Sequence, residues 1–138
     1  HTLSRTHQFL TFTTPPNLQT AVAFGLNEPG DWFEAMPRSL QASRDRLAEG
    51  LRREGFVTLP AQGTYFLTID LPASGVDEPD RAFALRAVKE AGVATIPVSA
   101  LYEEDHVTSI LRLCLSKTDE TLDAGVERLA KARDLARR

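Results

Sequence analysis

The chain has 138 residues, with 16 basic and 19 acidic side chains and a formal charge of −3. Hydrophobic residues make up 42% and charged residues 25%, a composition typical of folded globular domains that excludes a disordered chain. No apolar run approaches the ~20 residues that a membrane-spanning helix needs, and the scattered basic residues argue against a nucleic-acid surface. The single cysteine, Cys114, excludes an internal disulfide and a multi-cysteine metal site.

The start of the chain points to a longer protein or to processing. The first residue is His1, and the only methionine, Met36, lies well inside the sequence. We therefore expect either that a signal peptide has been removed or that these residues are a piece of a larger protein.

Turn residues and hydrophobic spacing divide the chain into helices and strands. Threonines alternating with aromatic and aliphatic residues predict an extended segment over residues 1–14. Pro37 is expected to break or kink the second helix, because an interior proline removes a backbone hydrogen bond. The predicted elements after the extended segment are, in chain order, a helix from Pro16, a long helix from Asp31 that stops at Gly55, strands over 56–59 and 64–71, a helix over 80–91, strands over 93–97 and 110–115, and a final helix capped by Thr118.

Two strands carry the clearest pattern and determine the predicted fold class. In the strand over 64–71, the residues from Tyr65 to Leu71 at every second position form one apolar face. In the strand over 110–115, three leucines share one face and Arg112 lies on the other. The order of elements predicts an α+β fold, with helices packed on one face of a small mixed sheet.

The sequence alone does not indicate a self-contained catalytic site. The three histidines, His1, His7 and His106, lack metal-ligand spacing, and there is no phosphate-binding glycine loop or nucleophile motif. None of the three lysines occupies an apolar position, which a reactive amine requires. By itself, the chain is predicted to carry no catalytic residue and no metal site.

Arg112 is the exception, because it lies in the middle of an apolar strand. Such a guanidinium is costly unless a negative group meets it, and its planar fork binds a carboxylate through two parallel hydrogen bonds. The residues alone allow two interpretations: a site for a bound carboxylate, or a structural role. In the structural role, Arg112 forms an internal ion pair with Asp70 or Glu104, or reaches solvent from an edge strand.

Five other side chains are weaker candidates. Tyr65 and Phe66 follow a Gly-Thr turn and are predicted to serve the core, with a pocket-facing position for one of them as the alternative. Phe9 and Phe12 are predicted to pack on the helix that contains Leu18, unless they have a binding role. Cys114 is predicted to be a small buried apolar residue.

Four segments together resemble the class I/II aminotransferases, most closely the kynurenine and methionine aminotransferase branch. Residues 7–12 and 16–21 (HQFLTF and PNLQTA) resemble the stretch that follows the family's cofactor-binding core. The other three segments resemble motifs of the small domain, in the family's order and spacing: residues 60–67 (PAQGTYFL) resemble P-x-G-S/T-Y-F, residues 92–102 (GVATIPVSALY) resemble GVA-x-IP-x-S-x-FY, and residues 110–117 (ILRLCLSK) resemble IR-F/L-C-F-x-K.

The resemblance implies a domain division and a set of substrate-binding residues. Residues 1–30 would be the tail of the cofactor-binding large domain, and residues 31–138 the C-terminal small domain of the aspartate-aminotransferase-like fold. Arg112 would hold the α-carboxylate of the substrate. Phe12 and Thr13 would reach across a homodimer toward the partner's pocket, although some relatives carry a histidine where Thr13 stands. Tyr65 completes the predicted substrate-binding set.

The resemblance also implies a cytoplasmic pyridoxal 5′-phosphate enzyme that exchanges an amino group between an amino acid and a 2-oxo acid. The family's cofactor-bonding lysine, and the aspartate that pairs with the pyridine nitrogen, have no counterpart in these 138 residues. We therefore expect the chain, taken alone, to be inactive and to bind no cofactor, nucleic acid or membrane. A lyase or synthase on the same scaffold is a near relative, and a non-catalytic α+β module that binds small carboxylates or a protein partner is the alternative from a different class.

Overall fold

The computed structural model describes residues 2–10, 12–28, 30–104 and 107–137. The chain divides into two compact units, His1–Phe33 and Glu34–Arg138. Within the described ranges, no helix has the length and apolar character needed to cross a membrane.

The first unit is built from two helices, α1 (Thr2–Leu10) and α2 (Pro16–Asn27). The extended conformation predicted for residues 1–14 is therefore wrong over α1. A helix satisfies its backbone hydrogen bonds locally, whereas an extended segment needs a neighbouring strand, and none of the strands that the structure describes pairs with this segment. The prediction for His1 and Thr11 lies outside the described residues.

Both helices of the first unit expose their apolar side chains. Neither helix contains a buried residue, and the side chains of Phe9 and Phe12 are 75% and 81% exposed. The predicted packing of these two phenylalanines against α2 is therefore wrong. The start of α2 agrees with the prediction, because Pro16 occupies the first helical position, where its missing N–H costs nothing.

The second unit begins within a long helix, α3 (Trp32–Arg53). The predicted break at Pro37 does not occur, since α3 continues through this residue. Beyond Pro37, α3 buries Leu47 and Leu51. The helix stops as predicted before Gly55, whose φ of 79° is a left-handed conformation that glycine adopts readily.

Four described strands form one sheet in the order β1-β2-β4-β3. The strands β2 and β3 run in the same direction, but β4 lies between them and pairs antiparallel with both. Every described pairing is therefore antiparallel, and the prediction of a mixed sheet is wrong on this point. The strands are β1 (Val57–Thr58), β2 (Phe66–Asp70), β3 (Ile96–Pro97) and β4 (Ile110–Cys114).

Strand β3 is shorter and more exposed than the buried strand predicted over 93–97. It forms an edge of the sheet, and the side chain of Ile96 is 41% exposed. Pro97 has no N–H to donate, so strand pairing ends there.

Two further helices, α4 (Asp80–Arg86) and α5 (Asp119–Ala136), complete the α+β fold, whose class is as predicted. The second half of the helix predicted over 80–91 is a π-helical turn, Ala87–Ala91. The predicted cap of α5 is confirmed, because the Thr118 hydroxyl accepts a hydrogen bond from the Thr121 N–H at 3.4 Å.

The hydrophobic core lies between one face of the sheet and α3, α4 and α5. Alternation along the strands buries Leu67 and Ile69 of β2 and Leu111 and Leu113 of β4, as predicted. The three helices supply most of the remaining buried side chains, among them Phe83 of α4, which is completely buried. The helices therefore cover a single face of the sheet.

A surface ion pair also joins α3 to α5. Arg46 donates from Nε to Asp123 Oδ1 at 3.0 Å and from Nη2 to Asp123 Oδ2 at 2.6 Å. The hydrogen bond from Arg46 lowers the pKa of the Asp123 carboxyl below its usual value. The pair therefore contributes to stability above the usual carboxyl pKa, and this contribution is lost as the pH falls through the lowered pKa.

Candidate functional site

Arg112 lies near the middle of the sheet face that the second unit's own helices leave open. It is opposite Thr68 of β2 and opposite Ile96 of β3, and its side chain is half-buried. Because β4 is flanked by a strand on each side, the interpretation of Arg112 as a residue reaching out from an edge strand is wrong.

An aromatic ring packs against the guanidinium of Arg112. The Cζ atom of Arg112 lies 4.0 Å from the centroid of the Phe66 ring, which is a cation–π distance. Phe66 pairs with Cys114, so its ring is diagonal to Arg112 on the same face, within reach of a long side chain. The ring covers one face of the planar group and occupies none of its hydrogen-bond donors.

No acid in the described ranges neutralises Arg112. Its Nε is buried without a hydrogen-bond partner, and none of the described residues forms a hydrogen bond or an ion pair with its guanidinium. Asp70 instead accepts a hydrogen bond from the Ala73 N–H at 3.0 Å, in the turn after β2. The structural interpretation, an ion pair with Asp70 or Glu104, is therefore not what the structure contains. A half-buried cation with unused hydrogen-bond donors binds an anion more strongly than an exposed or already paired cation does.

Tyr65 lies next to this arrangement but outside the core. Its side chain is 50% exposed, because β2 begins one residue later, at Phe66, and the alternation of the strand does not extend to it. The predicted burial of Tyr65 is therefore wrong. Its ring centroid lies 4.1 Å from that of Phe66, so Tyr65, Phe66 and Arg112 form one continuous group.

Phe12 and Thr13 belong to the first unit and are exposed there. The Thr13 hydroxyl accepts a hydrogen bond from Gln19 Nε2 at 3.4 Å. The structure therefore brings together two of the four predicted substrate-binding residues, Arg112 and Tyr65, within the second unit.

Cys114 is exposed, contrary to the prediction of a buried thiol. It stands at the end of β4, where it lines a cavity of about 470 Å³ together with Leu113, Lys117 and residues of α5. Arg112 does not line this cavity, so the concave surface beside α5 is separate from the carboxylate-binding candidate.

Sequence reasoning missed four buried polar residues, Ser74, Asp80, Ser99 and Arg133, of which Asp80 and Ser99 are bonded to each other. The carboxylate of Asp80 is completely buried and accepts hydrogen bonds from the Ser99 N–H at 2.9 Å and from the Ser99 hydroxyl at 2.7 Å. The only signal in the sequence was their place, one at a helix start and the other within residues 92–102. Neither position predicts burial, since burial depends on how α4 packs against the sheet.

The residues that the structure describes do not fit a metal ion or a covalently attached cofactor. They contain no group of three potential metal ligands, and the predictions for His1 and His106 lie outside them. Lys89, Lys117 and Lys131 are all exposed, whereas a reactive lysine needs a desolvated position.

Comparison with known proteins agrees with the resemblance found in the sequence. The family model "Aminotransferase class I and II" matches residues 1–129. The probable N-succinyldiaminopimelate aminotransferase of Mycobacterium tuberculosis is 35% identical over 89% of this chain and 33% of its own length. Human kynurenine–oxoglutarate transaminase 1 is 32% identical over 94% of this chain and 35% of its own length.

A solved structure of a methionine aminotransferase from Escherichia coli superposes with a TM-score of 0.79 at 34% identity, covering 91% of this chain and 33% of that chain. The aminotransferase-like fold is thereby confirmed. The chain spans about a third of the length of the curated relatives it matches.

Proposed function

Because the chain belongs to the class I and II aminotransferases, we propose that it is the C-terminal part of a pyridoxal 5′-phosphate-dependent enzyme. The parent protein transfers an amino group between an amino acid and a 2-oxo acid, and Arg112 binds the carboxylate of both substrates. The relatives are aminotransferases of about three times this length, which supports the proposal.

The observation that carries this proposal is the state of the Arg112 guanidinium. It is half-buried, stacked on Phe66 and without an internal anion among the described residues. Two parallel N–H donors match the two oxygens of a carboxylate, and a partly dry site strengthens the attraction between the charges. An amino acid and a 2-oxo acid share this carboxylate, so one arginine can serve both halves of the reaction.

The task of this chain in the reaction is binding and orientation. Bound pyridoxal phosphate supplies an electron sink for the reacting carbon, and its attachment residues lie outside this chain. Arg112 donates two hydrogen bonds to the substrate carboxylate and so fixes the direction of the Cα–H bond toward a base from the missing part. The Phe66 ring keeps water from one side of the guanidinium.

The remaining assignments belong to the same proposal. Residues 1–30 belong to the large domain and residues 31–138 to the small domain, and the parent is a cytoplasmic homodimer. Phe12 and Thr13 contribute to the partner's substrate site, which is supported by the 81% exposure of the Phe12 side chain within its own unit. Tyr65 lines the substrate site beside Phe66.

A paired assay tests the proposed function. The full-length parent, supplied with pyridoxal phosphate, an amino acid and 2-oxoglutarate, is expected to transaminate, while the 138-residue chain alone produces no glutamate. Borohydride treatment at stoichiometric cofactor is expected to fix the cofactor to one specific lysine of the parent that lies outside this chain, because the family's cofactor-bonding lysine has no counterpart here. Peptide mapping by mass spectrometry provides the measurement. Specific labelling of this chain, or a parent without transaminase activity, would contradict the proposal.

Replacing Phe66 with leucine tests the contact with Arg112. The variant keeps an apolar side chain on β2 but removes the aromatic face, and a cation–π contact contributes about 0.5–2 kcal/mol. In the parent, Phe66→Leu is therefore expected to raise the KM of the amino acid by about 2- to 30-fold, with little change in kcat.

Phe56→Leu is the matched control for this variant, because the Phe56 ring packs 4.5 Å from Cζ of a different arginine, Arg133. The control is expected to lower the melting temperature and leave the KM unchanged. Equal KM values for the two variants would mean that the Phe66 ring does not support substrate binding.

A further inference from the structure

Asp80 forms hydrogen bonds with both ends of the segment that connects β3 to β4. Its carboxylate accepts hydrogen bonds from the N–H and the hydroxyl of Ser99, which comes after β3. Its own backbone N–H donates to the carbonyl of Thr108, which precedes β4, at 2.7 Å. The end of one strand and the start of the other are therefore held at the same point of α4.

Ser99 is held from two sides. Arg81 donates from Nε to the Ser99 hydroxyl at 3.1 Å and from Nη2 to the Ser99 carbonyl at 3.2 Å. A completely buried carboxylate is costly unless hydrogen bonds compensate it, and Ser99 donates two hydrogen bonds to the carboxylate of Asp80. Ser99 cannot shift without breaking these bonds and exposing an uncompensated charge.

The position of Ser99 matters for Arg112 because β3 is a weakly paired strand. It pairs with β4 only through Ile96, which lies opposite Arg112, and Pro97, which has no N–H to donate. Because so few backbone hydrogen bonds hold this edge strand, its position depends on the residues next to it in the chain. Ser99, which Asp80 holds, follows Pro97 after one intervening residue. Ile96 in turn is the β3 residue directly opposite Arg112, so the two side chains share one face of the sheet.

We propose that Asp80, acting through Ser99, is a positioning residue that holds β3 against Arg112 and thereby keeps the guanidinium in its carboxylate-binding orientation. This inference rests on the proposed function. Without the bonds to Ser99, β3 gains freedom beside Arg112, and the ordering of the guanidinium must then be achieved when the ligand binds. The affinity for a carboxylate falls, while the chemistry of a correctly bound substrate is unchanged.

The test uses the full-length parent and butyrate, a carboxylate without an amino group, as the probe. Ser99→Ala is expected to raise the dissociation constant of butyrate and the KM of the amino acid by about 5- to 20-fold, the effect of losing one or two buried hydrogen bonds, with kcat within about twofold. Asp80→Asn is expected to shift the affinity in the same direction, because the amide offers Ser99 one oxygen acceptor in place of two. Ser99→Thr keeps the hydroxyl and is expected to restore wild-type binding.

Two further variants separate positioning from a general loss of stability. Val126→Ala removes buried volume from α5, at the contact with Gly50 of α3, and is expected to lower the melting temperature without changing the butyrate affinity. Arg81→Met removes the two bonds from Arg81 to Ser99, leaves the bonds between Asp80 and Ser99 in place, and provides a milder change if Ser99→Ala does not fold. It is expected to shift the affinity in the same direction by a smaller factor.

The outcomes distinguish this inference from the proposed function. A parent that transaminates and binds butyrate through Arg112, but whose affinity is unaffected by Ser99→Ala and Arg81→Met, overturns only the inference. Equal affinity losses in Ser99→Ala and Val126→Ala at equal loss of melting temperature overturn it as well. A wild-type parent without transaminase activity overturns the proposed function and the inference with it.

Discussion

Arg112→Lys in the full-length parent is expected to raise the KM of the amino acid substrate by about 30- to 700-fold. Losing one bidentate charged pair costs on the order of 2–4 kcal/mol, and each 1.4 kcal/mol is about a factor of ten in affinity. Lysine retains the positive charge, but it cannot donate two parallel hydrogen bonds or stack on the Phe66 ring as a planar group. Steady-state kinetics with the amino acid and with the 2-oxo acid provide the measurement, and both KM values are expected to rise.

The binding of pyridoxal phosphate to this variant is expected to remain close to that of the wild type, since Arg112 is assigned to the substrate alone. The visible absorbance of the bound cofactor reports on this. Arg46→Lys is the matched control, because Arg46 is bonded to an acid on α5, namely Asp123. Wild-type kinetics in Arg112→Lys would remove this residue from the substrate site.

The second large effect concerns stability and depends on Phe83. Its ring is completely buried where α4 packs on the sheet, and replacing a buried phenylalanine with alanine costs about 3–5 kcal/mol. Since domains of ordinary size are stable by only about 5–15 kcal/mol, Phe83→Ala is expected to leave the second unit close to unfolding. Urea denaturation of the 138-residue chain, followed by far-ultraviolet circular dichroism, gives the free energy of unfolding.

Leu85→Ala on the same helix serves as the control, because the Leu85 side chain is 55% exposed. Its effect is expected to stay within about 0.5 kcal/mol, as for most surface substitutions. Similar midpoints for the two variants would show that α4 does not pack on the sheet as described.

Sequence analysis predicted well those elements whose structure is determined by their own residues, through hydrophobic alternation or through residues that end a helix. Leu67 and Ile69 flank Thr68, and Leu111 and Leu113 flank Arg112, so burial of the leucine and isoleucine face is expected from the period of a strand. Gly55 and Thr118 mark helix ends through local backbone and side-chain chemistry.

The errors fall where the outcome depends on distant partners. Residues 2–10 contain a pattern that fits a strand, but a strand also needs a neighbour to pair with, and the helix needs none. The break expected at Pro37 was a local argument, and α3 continues through this residue. The mixed sheet was wrong because only the tertiary structure reveals that β4 is inserted between β2 and β3.

The candidate site shows the same division. Arg112 could be singled out as a candidate from the sequence, since an arginine among leucines is costly in a buried strand unless an anion meets it. Its contact with Phe66 depends on the register of β2 against β4. The bonds between Asp80 and Ser99 join residues far apart in the chain, so no local pattern could have indicated them.

The order of the strands has a consequence for how this polypeptide folds during synthesis. The two central strands are not neighbours in sequence, since all of α4 and β3 lies between them. A large loop must close before the middle of the sheet can form, which slows folding relative to a meander of hairpins. Until β4 leaves the ribosome, β2 has only the two-residue strand β1 beside it. The nascent chain therefore exposes the backbone N–H and C=O groups along the β4 side of β2, next to the apolar side chains of Leu67 and Ile69. A polypeptide truncated before Ile110 is for this reason prone to aggregation.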